Sequence, residues 1–302
     1  MRIGVDIGGS KIEAAALDRD GAIRLRRRVA TPAGDYTATI AAVRDLVLDI
    51  EKRLGRIAAI GIGMPGTLSP ATGLVKNANS TCLNGRPFDR DLMAALDRPL
   101  RFANDANCFA LSEAIDGAAR GARIVFGVIL GTGVGGGIVV DGSIVTGGNA
   151  IAGEWGHSPL PWPEDDERPG PPCYCGKRGC IETFLSGPGL AAAHRAAAGE
   201  AAEPRTLAAR AAAGNAAAER TLGRYEDRLA RGLATVINLL DPEIIVLGGG
   251  LGQIGRLYRH VPSLWGKYVF SDAVATRLVP PKWGDSSGVR GAAWLWPPDD
   301  DP

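Results

Sequence analysis

Short apolar stretches, each ending at glycine or a turn signal, fill the first thirty positions of the chain. Residues 2–7 alternate as a strand does, a glycine turn follows at 8–11, and residues 12–17 are again apolar up to the turn at 20–21. Residues 22–29 are a third strand-like stretch. Period-two alternation between turn signals is typical of hairpins. The pattern therefore predicts strand, glycine turn, strand, tight turn and strand.

The same order returns near the middle of the chain. Residues 124–130 are apolar, the glycine-rich segment 131–137 follows, and a short strand at 138–140 precedes a turn at 141–142 and a third strand at 143–145. We interpret this repeat as a duplicated domain plan with one copy per lobe. Glycine lets a ligand approach backbone N–H groups closely, and their dipoles favour phosphate oxygens. The two turns therefore predict a phosphate-binding site.

The remaining segments are mostly helical. Apolar residues recur with helical spacing at 36–54, and the pattern predicts a long helix at 219–240, an alanine-rich helix at 190–218 broken near 199–204, a short helix at 108–115 and a last helix through Trp296. The stretch 159–172 is rich in proline and acidic residues, which predicts an irregular surface excursion.

The composition fits a folded protein of 302 residues, long enough for two domains, of which 45 % are hydrophobic. Lys and Arg total 34 and Asp and Glu 33, so the charge balance gives no reason to expect a nucleic-acid or membrane partner. No apolar run approaches the roughly 20 residues of a membrane helix, and the start turns polar too early for a signal peptide. We expect a soluble, cytoplasmic protein.

Gly131-x-Gly133-x-x-Gly136 matches the dinucleotide-binding fingerprint. That fingerprint must open a helix, whereas here a three-residue strand and an Asp-Gly hairpin are predicted to follow it. A simple structural turn is an alternative. The phosphate-binding interpretation is favoured because a second glycine turn stands in the same context at Gly8-Gly9.

Two charged residues flank the first glycine turn. Asp6 ends the first strand, and a carboxylate beside phosphates is repulsive unless a cation mediates. We interpret Asp6 as positioning Mg²⁺, through water; the alternative is a turn-forming aspartate. Lys11 could touch phosphate or could be an ordinary exposed strand residue.

A polar cluster, Asn104-Asp105-Ala106-Asn107, separates an apolar strand from a helix. One interpretation is a helix N-cap, which Asp and Asn favour. The functional interpretation is a carboxylate that accepts a proton from a sugar hydroxyl as the oxygen attacks phosphorus. A junction of strand and helix is a rigid mount for such a base.

Three of the five cysteines lie within eight positions, at Cys173, Cys175 and Cys180, shortly after His157. Four nitrogen and sulfur ligands make a closed tetrahedral zinc site, and a closed site has no place for a reactive water. We therefore predict a structural zinc ion that fixes the loop carrying Glu154 and Glu182. The two other cysteines, at positions 82 and 108, have no such neighbours.

These motifs together resemble the ROK family of repressors, open reading frames and kinases over nearly the whole chain. Residues 6–11 resemble its first phosphate motif, 131–133 its second, 247–250 its adenosine motif and 104–107 its catalytic segment. Residues 153–157 together with 173–182 resemble its zinc and sugar signature. Ser10 stands where the family usually has threonine and keeps the hydroxyl.

The resemblance implies an α/β, actin-like ATPase fold of the ribonuclease H-like type, with two lobes and a central cleft. We assign residues 1–117 to a small N-terminal lobe, onto which a C-terminal helix at 286–302 packs back, and residues 118–285 to a large lobe with the zinc loop and the dimer surface. It also implies ATP, Mg²⁺ and structural Zn²⁺ as cofactors, and a homodimer.

The resemblance further implies a function. Residues 76–81, 83–89 and 284–297 are most similar to bacterial fructokinases that also handle mannose. We therefore expect ATP-dependent phosphorylation of the 6-hydroxyl of D-fructose, or mannose, with Asp105 as the catalytic base. Kinases of N-acetylglucosamine or glucose are alternatives. A sugar-sensing regulator without catalysis is another, disfavoured because the first strand begins at Arg2 and leaves no room before it for a DNA-binding segment.

The residues carried over from the family fall into three groups. The implied sugar contacts are Gly66, Asn79, Asn104, Asp105, Glu154, His157 and Glu182. The implied ATP and phosphate contacts are Asp6, Gly8, Gly9, Ser10, Lys11, Gly131, Thr132, Gly133, Gly248, Gly249 and Gly250. The implied zinc ligands are His157, Cys173, Cys175 and Cys180, so the imidazole would serve metal and sugar through one ring nitrogen each.

Overall fold

A computed structural model describes residues 1–297 of the chain. It divides into two compact units. Unit 1 contains residues 1–120, 137–152 and the segment from 285 on, and unit 2 contains residues 121–136 and 153–284. Residues 298–302, which the predicted C-terminal helix included, lie outside the described residues. The lobe boundaries at 117 and 285 stay a prediction.

Strands and helices alternate along most of the chain. In chain order they are β1 Arg2–Ile7, β2 Lys11–Leu17, β3 Ile23–Ala30, α1 Tyr36–Leu54, β4 Ala59–Met64, β5 Thr67–Leu68, β6 Val75–Lys76, α2 Phe88–Leu96, β7 Arg101–Asn104, α3 Asp105–Ile115, β8 Ile124–Leu130, β9 Val134–Val140, β10 Ser143–Ile144, α4 Ile181–Leu185, α5 Gly187–Ala198, α6 Pro204–Ala212, α7 Ala216–Leu240, β11 Ile244–Gly248, α8 Leu257–Leu264, β12 Arg277–Val279 and α9 Ser287–Trp294.

Unit 1 is built on a five-stranded sheet in the order β3-β2-β1-β4-β7. The pairs β3–β2 and β2–β1 are antiparallel, whereas β1–β4 and β4–β7 are parallel. Helix α1 begins at an Asp35 cap, whose side chain accepts from the Ala38 N–H, and ends at Gly55 in the left-handed conformation. Its apolar face joins the sheet in one core that includes Val43, Val47 and Ile50. Burial of that face explains why the periodicity located the helix correctly.

Helix α9 packs on the sheet and on α3 in unit 1, at a distance that only glycine allows. A Cβ built on Gly4 of β1 would lie 1.9 Å from the Val289 carbonyl oxygen, and one on Gly61 of β4 would lie 1.8 Å from that of Ala292. A Cβ on Gly291 would lie 1.7 Å from the carbonyl oxygen of Cys108. Because Gly4, Gly61 and Gly291 have no Cβ, α9 can pack directly against the sheet that carries the first glycine turn.

In unit 2, β8 lies between the start of β9 and β11, and β12 follows β11; β8–β11 and β11–β12 are parallel. Beyond Gly136 β9 belongs to unit 1, where it pairs antiparallel with β10. The sheet order β10-β9-β8-β11-β12 thus has the same pattern as β3-β2-β1-β4-β7, in agreement with a duplicated plan. The predicted three-residue strand 138–140 is wrong, since β9 has seven residues. The run of glycines predicts a turn up to residue 137, but at Gly136 a Cβ would lie 2.6 Å from the Gly153 carbonyl oxygen, so close packing explains the glycine.

The segment 159–172 is not merely a surface excursion as predicted. It contains a 3₁₀ turn, Asp165–Glu167, whose last carboxylate is buried. Glu167 accepts hydrogen bonds from Arg228 Nε at 2.7 Å and from Arg231 Nη1 at 2.8 Å, both on α7. Proline and acidic residues predicted exposure, but here one acid is buried because two guanidinium groups meet it.

Among the described residues no helix combines the length and the apolar character that a membrane span requires.

Candidate functional site

Asn104 and Asp105 lie where β7 ends and α3 begins. Asn104 is the N-cap, and its side-chain oxygen accepts from the Ala106 N–H at 2.9 Å. Asp105 is the first helical residue, and its Oδ1 accepts from the same N–H at 2.8 Å. Both side chains are partly buried. The capping interpretation is correct for Asn104, and it leaves the Asp105 carboxylate fixed at a helix N-terminus, where negative charge is favoured.

Asp6 is the second carboxylate of unit 1 that belongs to this site. It is the penultimate residue of β1, next to Gly63 of β4, and lies against the start of α9, where a Cβ on Gly288 would be 2.7 Å from its Oδ2. Burial, then the negative charges of Asp105 and Glu13, raises the pKa of Asp6 to about 7. Burial and neighbouring carboxylates thus favour the protonated form of Asp6. A bound cation would instead favour its ionised form.

Cys108 stands beside both of these carboxylates. It is fully buried, and burial followed by the charges of Asp6 and Asp105 raises its thiol pKa well above the usual range. A Cβ on Gly63 would lie 3.2 Å from its Sγ. Cys108 is therefore an inert, neutral part of the wall behind the two acids.

The first glycine turn joins β1 to β2. Its Gly8 N–H donates to the Lys11 carbonyl at 2.9 Å, and the Gly8 carbonyl accepts from the Thr31 hydroxyl at 2.7 Å. Gly9 and Ser10 are exposed. The Gly8 N–H therefore closes the turn, so any phosphate contact of this turn falls to Gly9 and Ser10. Lys11 is exposed, and its Nζ lies 3.8 Å from Glu13 Oε2.

Gly66 and Asn79 belong to neighbouring loops in the same unit. Gly66 has a φ of 71°, and a Cβ there would lie 2.6 Å from the Ala78 nitrogen. Its carbonyl accepts from Asn104 Nδ2 at 3.3 Å. The Asn84 side chain clamps Ala78, accepting from its N–H at 2.9 Å and donating to its carbonyl at 2.8 Å. Asn104 thus contacts Gly66, and Gly66 lies against Ala78, the residue before Asn79; the Asn84 clamp was not predicted.

The second glycine turn, in unit 2, is closed in the same manner. Its Gly131 N–H donates to the Gly133 carbonyl at 3.0 Å. Glu182 Oε2 accepts from the Val134 N–H at 2.9 Å and would lie 2.8 Å from a Cβ on Gly133. The predicted sugar ligand Glu182 therefore also holds the turn that contains Gly131, Thr132 and Gly133.

The adenosine motif lies beside that turn. Gly249 follows β11 with a φ of 79°, and a Cβ there would be 2.3 Å from the Leu130 carbonyl oxygen. Leu130 is the last residue of β8, directly before Gly131. Gly248, Gly249 and Gly250 therefore share one edge of the unit 2 sheet with the second phosphate motif, since β8 and β11 are parallel neighbours.

Glu154 precedes a 3₁₀ turn, Trp155–His157, of which His157 is the last residue, and this turn packs on the start of β9. Trp155 is buried, donates through Nε1 to the Gly135 carbonyl at 3.2 Å and meets Phe126 edge-on at 5.8 Å between ring centroids. Sequence reasoning overlooked Trp155, although an indole between an acid and a histidine is a signal for an anchor. Trp155 fixes the turn, so Glu154 and His157 are held by a rigid element.

The four predicted metal ligands lie together. One ligand atom from each of His157, Cys173, Cys175 and Cys180 lies within 4.8 Å of the others. Cys173 Sγ is 3.6 Å from His157 Nδ1, and Cys175 Sγ is 3.6 Å from Cys180 Sγ. A tetrahedral zinc ion with bonds of about 2.3 Å to sulfur and 2.0 Å to nitrogen requires ligand separations of about 3.5–3.8 Å. The donor set and its spacing therefore fit zinc.

Tyr174, between two of these cysteines, contacts the other nitrogen of the imidazole. Its hydroxyl lies 2.9 Å from His157 Nε2, and the rings meet edge-on at 5.1 Å. The nitrogen predicted to contact the sugar thus has a protein partner, the Tyr174 hydroxyl, which was not predicted.

Comparison with known proteins gives consistent results. A model of the ROK family matches residues 2–298. An N-acetyl-D-glucosamine kinase of Yersinia pseudotuberculosis is 40% identical over 311 residues, covering 98% of both chains. A ROK hexokinase from Thermus thermophilus has a TM-score of 0.85 at 30% identity and covers 97% of this chain and 96% of its own. A ROK glucokinase from Streptomyces griseus, solved with glucose and AMPPNP, has a TM-score of 0.77 at 27% identity, covering 97% and 98%.

Proposed function

The chain belongs to the ROK family and is a sugar kinase of that family, with the predicted actin-like α/β fold, and we propose that it transfers the γ-phosphoryl group of ATP to the 6-hydroxyl of N-acetylglucosamine. The observation that carries the choice of sugar is the 40% identity, over 98% of both chains, to a relative named N-acetyl-D-glucosamine kinase. The expectation of fructose or mannose is not confirmed, since the relatives support the alternative better.

Asp105 is the proposed catalytic base. It would accept the proton of the 6-hydroxyl as that oxygen attacks phosphorus. Its place on the first turn of α3 favours the ionised carboxylate that a base needs, and the hydrogen bond from the Ala106 N–H fixes its orientation. Asn104 and Gly66 are the proposed neighbours on the sugar in unit 1, joined by the hydrogen bond from Asn104 to the Gly66 carbonyl. Glu154, His157 and Glu182 are the proposed sugar contacts in unit 2.

ATP and Mg²⁺ are the co-substrate and cofactor of the proposed reaction. Bound Mg²⁺ supplies positive charge that offsets the charge on the phosphoryl oxygens. Asp6 fits a role in holding it, directly or through water, because burial and then the charge of Asp105 raise its pKa, and a bound cation would favour the ionised form. The exposed Gly9 and Ser10 and the second turn, with Thr132, are the proposed phosphate contacts. Gly248–Gly250 are proposed for the adenosine part.

Zinc is proposed as a structural ion. With His157 and three thiolates in a closed set it would fix the segment 173–182, and Glu182 would pass that order to the second glycine turn through the Val134 N–H. We expect Cys175→Ala to lose bound zinc and to raise the KM for sugar, whereas Cys82→Ala, outside the cluster, keeps one zinc per chain. Elemental analysis measures both; unchanged stability and kinetics without metal would contradict the proposal.

The experiment that tests the function is an ADP-coupled assay of the purified chain with N-acetylglucosamine, glucose, mannose and fructose. We expect the highest kcat/KM with N-acetylglucosamine and a 6-phosphate product. A preference for fructose or mannose would restore the original expectation. Sugar binding by calorimetry without turnover of any sugar would instead indicate a sugar-sensing regulator.

A further inference from the structure

A cavity of about 250 Å³ opens within unit 1, beside the proposed sugar residues. Four parts of the chain form its walls: the first glycine turn, the loop after β3, the start of α1 and the segment before α2. The lining residues that matter here are Ile7, Gly9, Pro32, Ala33, Asn79 and Ser80. Gly9 and Asn79 also belong to the expected phosphate and sugar contacts, and the proposed mechanism assigns no role to the other four.

We propose that this cavity receives the 2-acetamido group of N-acetylglucosamine and so determines the choice of sugar. The inference rests on the proposed function, because a hexose without that group has nothing to place there.

The cavity is linked to the base by direct contacts. Asn79 lines it, and Asn79 follows Ala78, whose nitrogen packs on Gly66. The Gly66 carbonyl accepts from Asn104, the neighbour of Asp105. Gly9, on another wall, belongs to the first glycine turn. A larger surface groove of about 770 Å³ between β3 and α1 contains none of the proposed site residues, so it offers no such link.

Size and chemistry both fit an acetamido group. A volume of about 250 Å³ is below the roughly 300–1,000 Å³ of pockets that hold whole drug-sized ligands, yet equals about eight water volumes of roughly 30 Å³. It therefore suits a substituent of four heavy atoms better than a whole ligand. Ile7 and Pro32 offer apolar surface to a methyl group, while the Ser80 hydroxyl and the Asn79 amide offer hydrogen bonds to an amide.

The walls are held in place by the protein itself. The Thr31 hydroxyl donates to the Gly8 carbonyl at 2.7 Å and the Thr31 N–H donates to the Ser10 carbonyl at 3.1 Å, which joins the β3 loop to the glycine turn. On the other side, Asn84 clamps Ala78 and Leu83 is buried in the core. A preformed cavity loses little conformational entropy on binding, so filling it should change affinity directly.

The test fills the cavity with a side chain. Ala33→Phe places a ring at the lining, and Ala71→Phe is the matched control, because Ala71 is also an exposed turn alanine of unit 1 but does not line the cavity. We expect Ala33→Phe to lower the ratio of kcat/KM for N-acetylglucosamine to that for glucose at least tenfold, because the ring would exclude the acetamido group. Ala71→Phe should leave this ratio within about twofold of that of the unsubstituted protein.

The outcomes separate the inference from the function. No turnover of N-acetylglucosamine by the unsubstituted protein contradicts the proposed function. Turnover with an unchanged sugar ratio in Ala33→Phe, or an equal loss for both sugars, overturns the cavity assignment alone. If Ala33→Phe unfolds in a thermal melt, Ser80→Leu, which fills the cavity from another wall, decides by the same ratio.

Discussion

Asp6 in unit 1 and Glu167 in unit 2 are both withdrawn from solvent, yet their pKa values move in opposite directions. The pKa of Asp6 is raised to about 7, by burial and then by the charge of Asp105. Burial also acts to raise the pKa of Glu167, but hydrogen bonds from Arg231, Arg228 and the Glu164 N–H outweigh it and bring the value to about 2.

The difference separates a structural acid from a functional one. Glu167 has its charge balanced by two guanidinium groups that the fold supplies, so its ionised form is part of the folded state. The pKa of Asp6 is raised first by burial and then by two further carboxylates, Asp105 and Glu13, so a bound cation would stabilise its ionised form. A buried acid by itself does not identify a functional site. The sign of the charges next to it does, because like charges leave the acid in need of a cation.

The largest expected effect concerns the acid beside Asp6. We expect Asp105→Asn to lower kcat by about 10²–10⁴-fold, because the amide cannot accept the proton, and to change the KM for sugar far less. Steady-state kinetics measures both. Asp45→Asn, an exposed acid on α1 paired with Arg44, is the control and should keep full activity. Near-normal turnover of Asp105→Asn would show that Asp105 is not the catalytic base, and would contradict the assignment of Asp6 and Asp105 to a functional site.

The structural half is tested at Glu167. We expect Glu167→Gln to lower the free energy of unfolding by about 3–5 kcal/mol at pH 7, because Arg228 would remain buried without this anion and Arg231 would keep only its ion pair with Asp227. Glu164→Gln, an exposed acid in the same loop, should cost at most about 1 kcal/mol. Denaturant unfolding measures both. Equal, small effects would show that the buried pairs contribute no net stability.

The pH dependence of this loss has a definite sign. The pKa of Glu167 is lower in the folded chain than its ordinary value of 4.5, so its contribution is complete above pH 4.5 and disappears as the pH falls towards 2. The difference between Glu167→Gln and the unsubstituted protein should therefore shrink over that interval. A difference that is constant with pH would contradict the assignment.

The opposite sign is expected at Asp6. Its pKa is raised from 3.8 to about 7, so the folded state binds the proton more tightly and stability falls as the pH rises through that interval. A shift of about three pKa units corresponds to at most about 4 kcal/mol. We expect Asp6→Asn to be more stable than the unsubstituted protein at pH 8 and similar to it at pH 4, in buffer without Mg²⁺.

Thermal unfolding at the two pH values measures this difference. Asp49→Asn is the control, because arginine hydrogen bonds lower the pKa of Asp49, so no gain at pH 8 is expected there. A gain of Asp6→Asn that is equal at both pH values, or absent, would mean that Asp6 carries no unbalanced charge. Activity should fall in Asp6→Asn even where stability rises, which is the trade-off expected of a functional acid.

The sequence predicts those parts of the fold that depend on local patterns, and it fails where a residue's partners are distant along the chain. Period-two and helical patterns located β1, β8 and α1 to the residue, because their faces are buried in a simple core. The glycine-rich run at 131–137 predicted a turn, which failed for β9, where Gly136 packs against Gly153. Composition predicted exposure for residues 159–172 and failed at Glu167, since its partners come from α7, some sixty positions away.

The candidate site divides similarly. The metal ligands lie within 24 positions and share one type of chemistry, so spacing alone brought them together in the prediction. Asn84 and Trp155 act through contacts with backbone carbonyls and N–H groups, to which no sequence pattern corresponds. The role of Tyr174 depends on which imidazole nitrogen it meets, which only coordinates can give.

The smallest expected effect is at Tyr174. Its hydroxyl is a hydrogen-bond partner of His157 that, unlike the arginine partners of Glu167, can be displaced. His157 Nδ1 faces Cys173, so with zinc bound there the proton stands on Nε2 and is donated to the Tyr174 hydroxyl. The Tyr174 side chain is 81% exposed, so it can move away at little cost. If the sugar is to contact Nε2, it must displace that hydroxyl. We expect Tyr174→Phe to lower the KM for sugar by up to about fivefold, equivalent to one hydrogen bond of about 1 kcal/mol, with kcat unchanged.

Tyr36→Phe serves as the control for this substitution, because its hydroxyl binds Asp91 in unit 1 and its loss should leave the KM for sugar unchanged. A higher KM for sugar in Tyr174→Phe would mean that the hydroxyl itself binds the sugar and that His157 reaches it only through Tyr174. Zinc content has to be equal in both variants, so that a change in KM reports on Nε2 and not on loss of the metal. A KM lowered in Tyr174→Phe would indicate that the sugar replaces the Tyr174 hydroxyl as the partner of His157, which is expected of a functional residue. Glu167 differs, because its partners Arg228 and Arg231 are buried with it and stay in place.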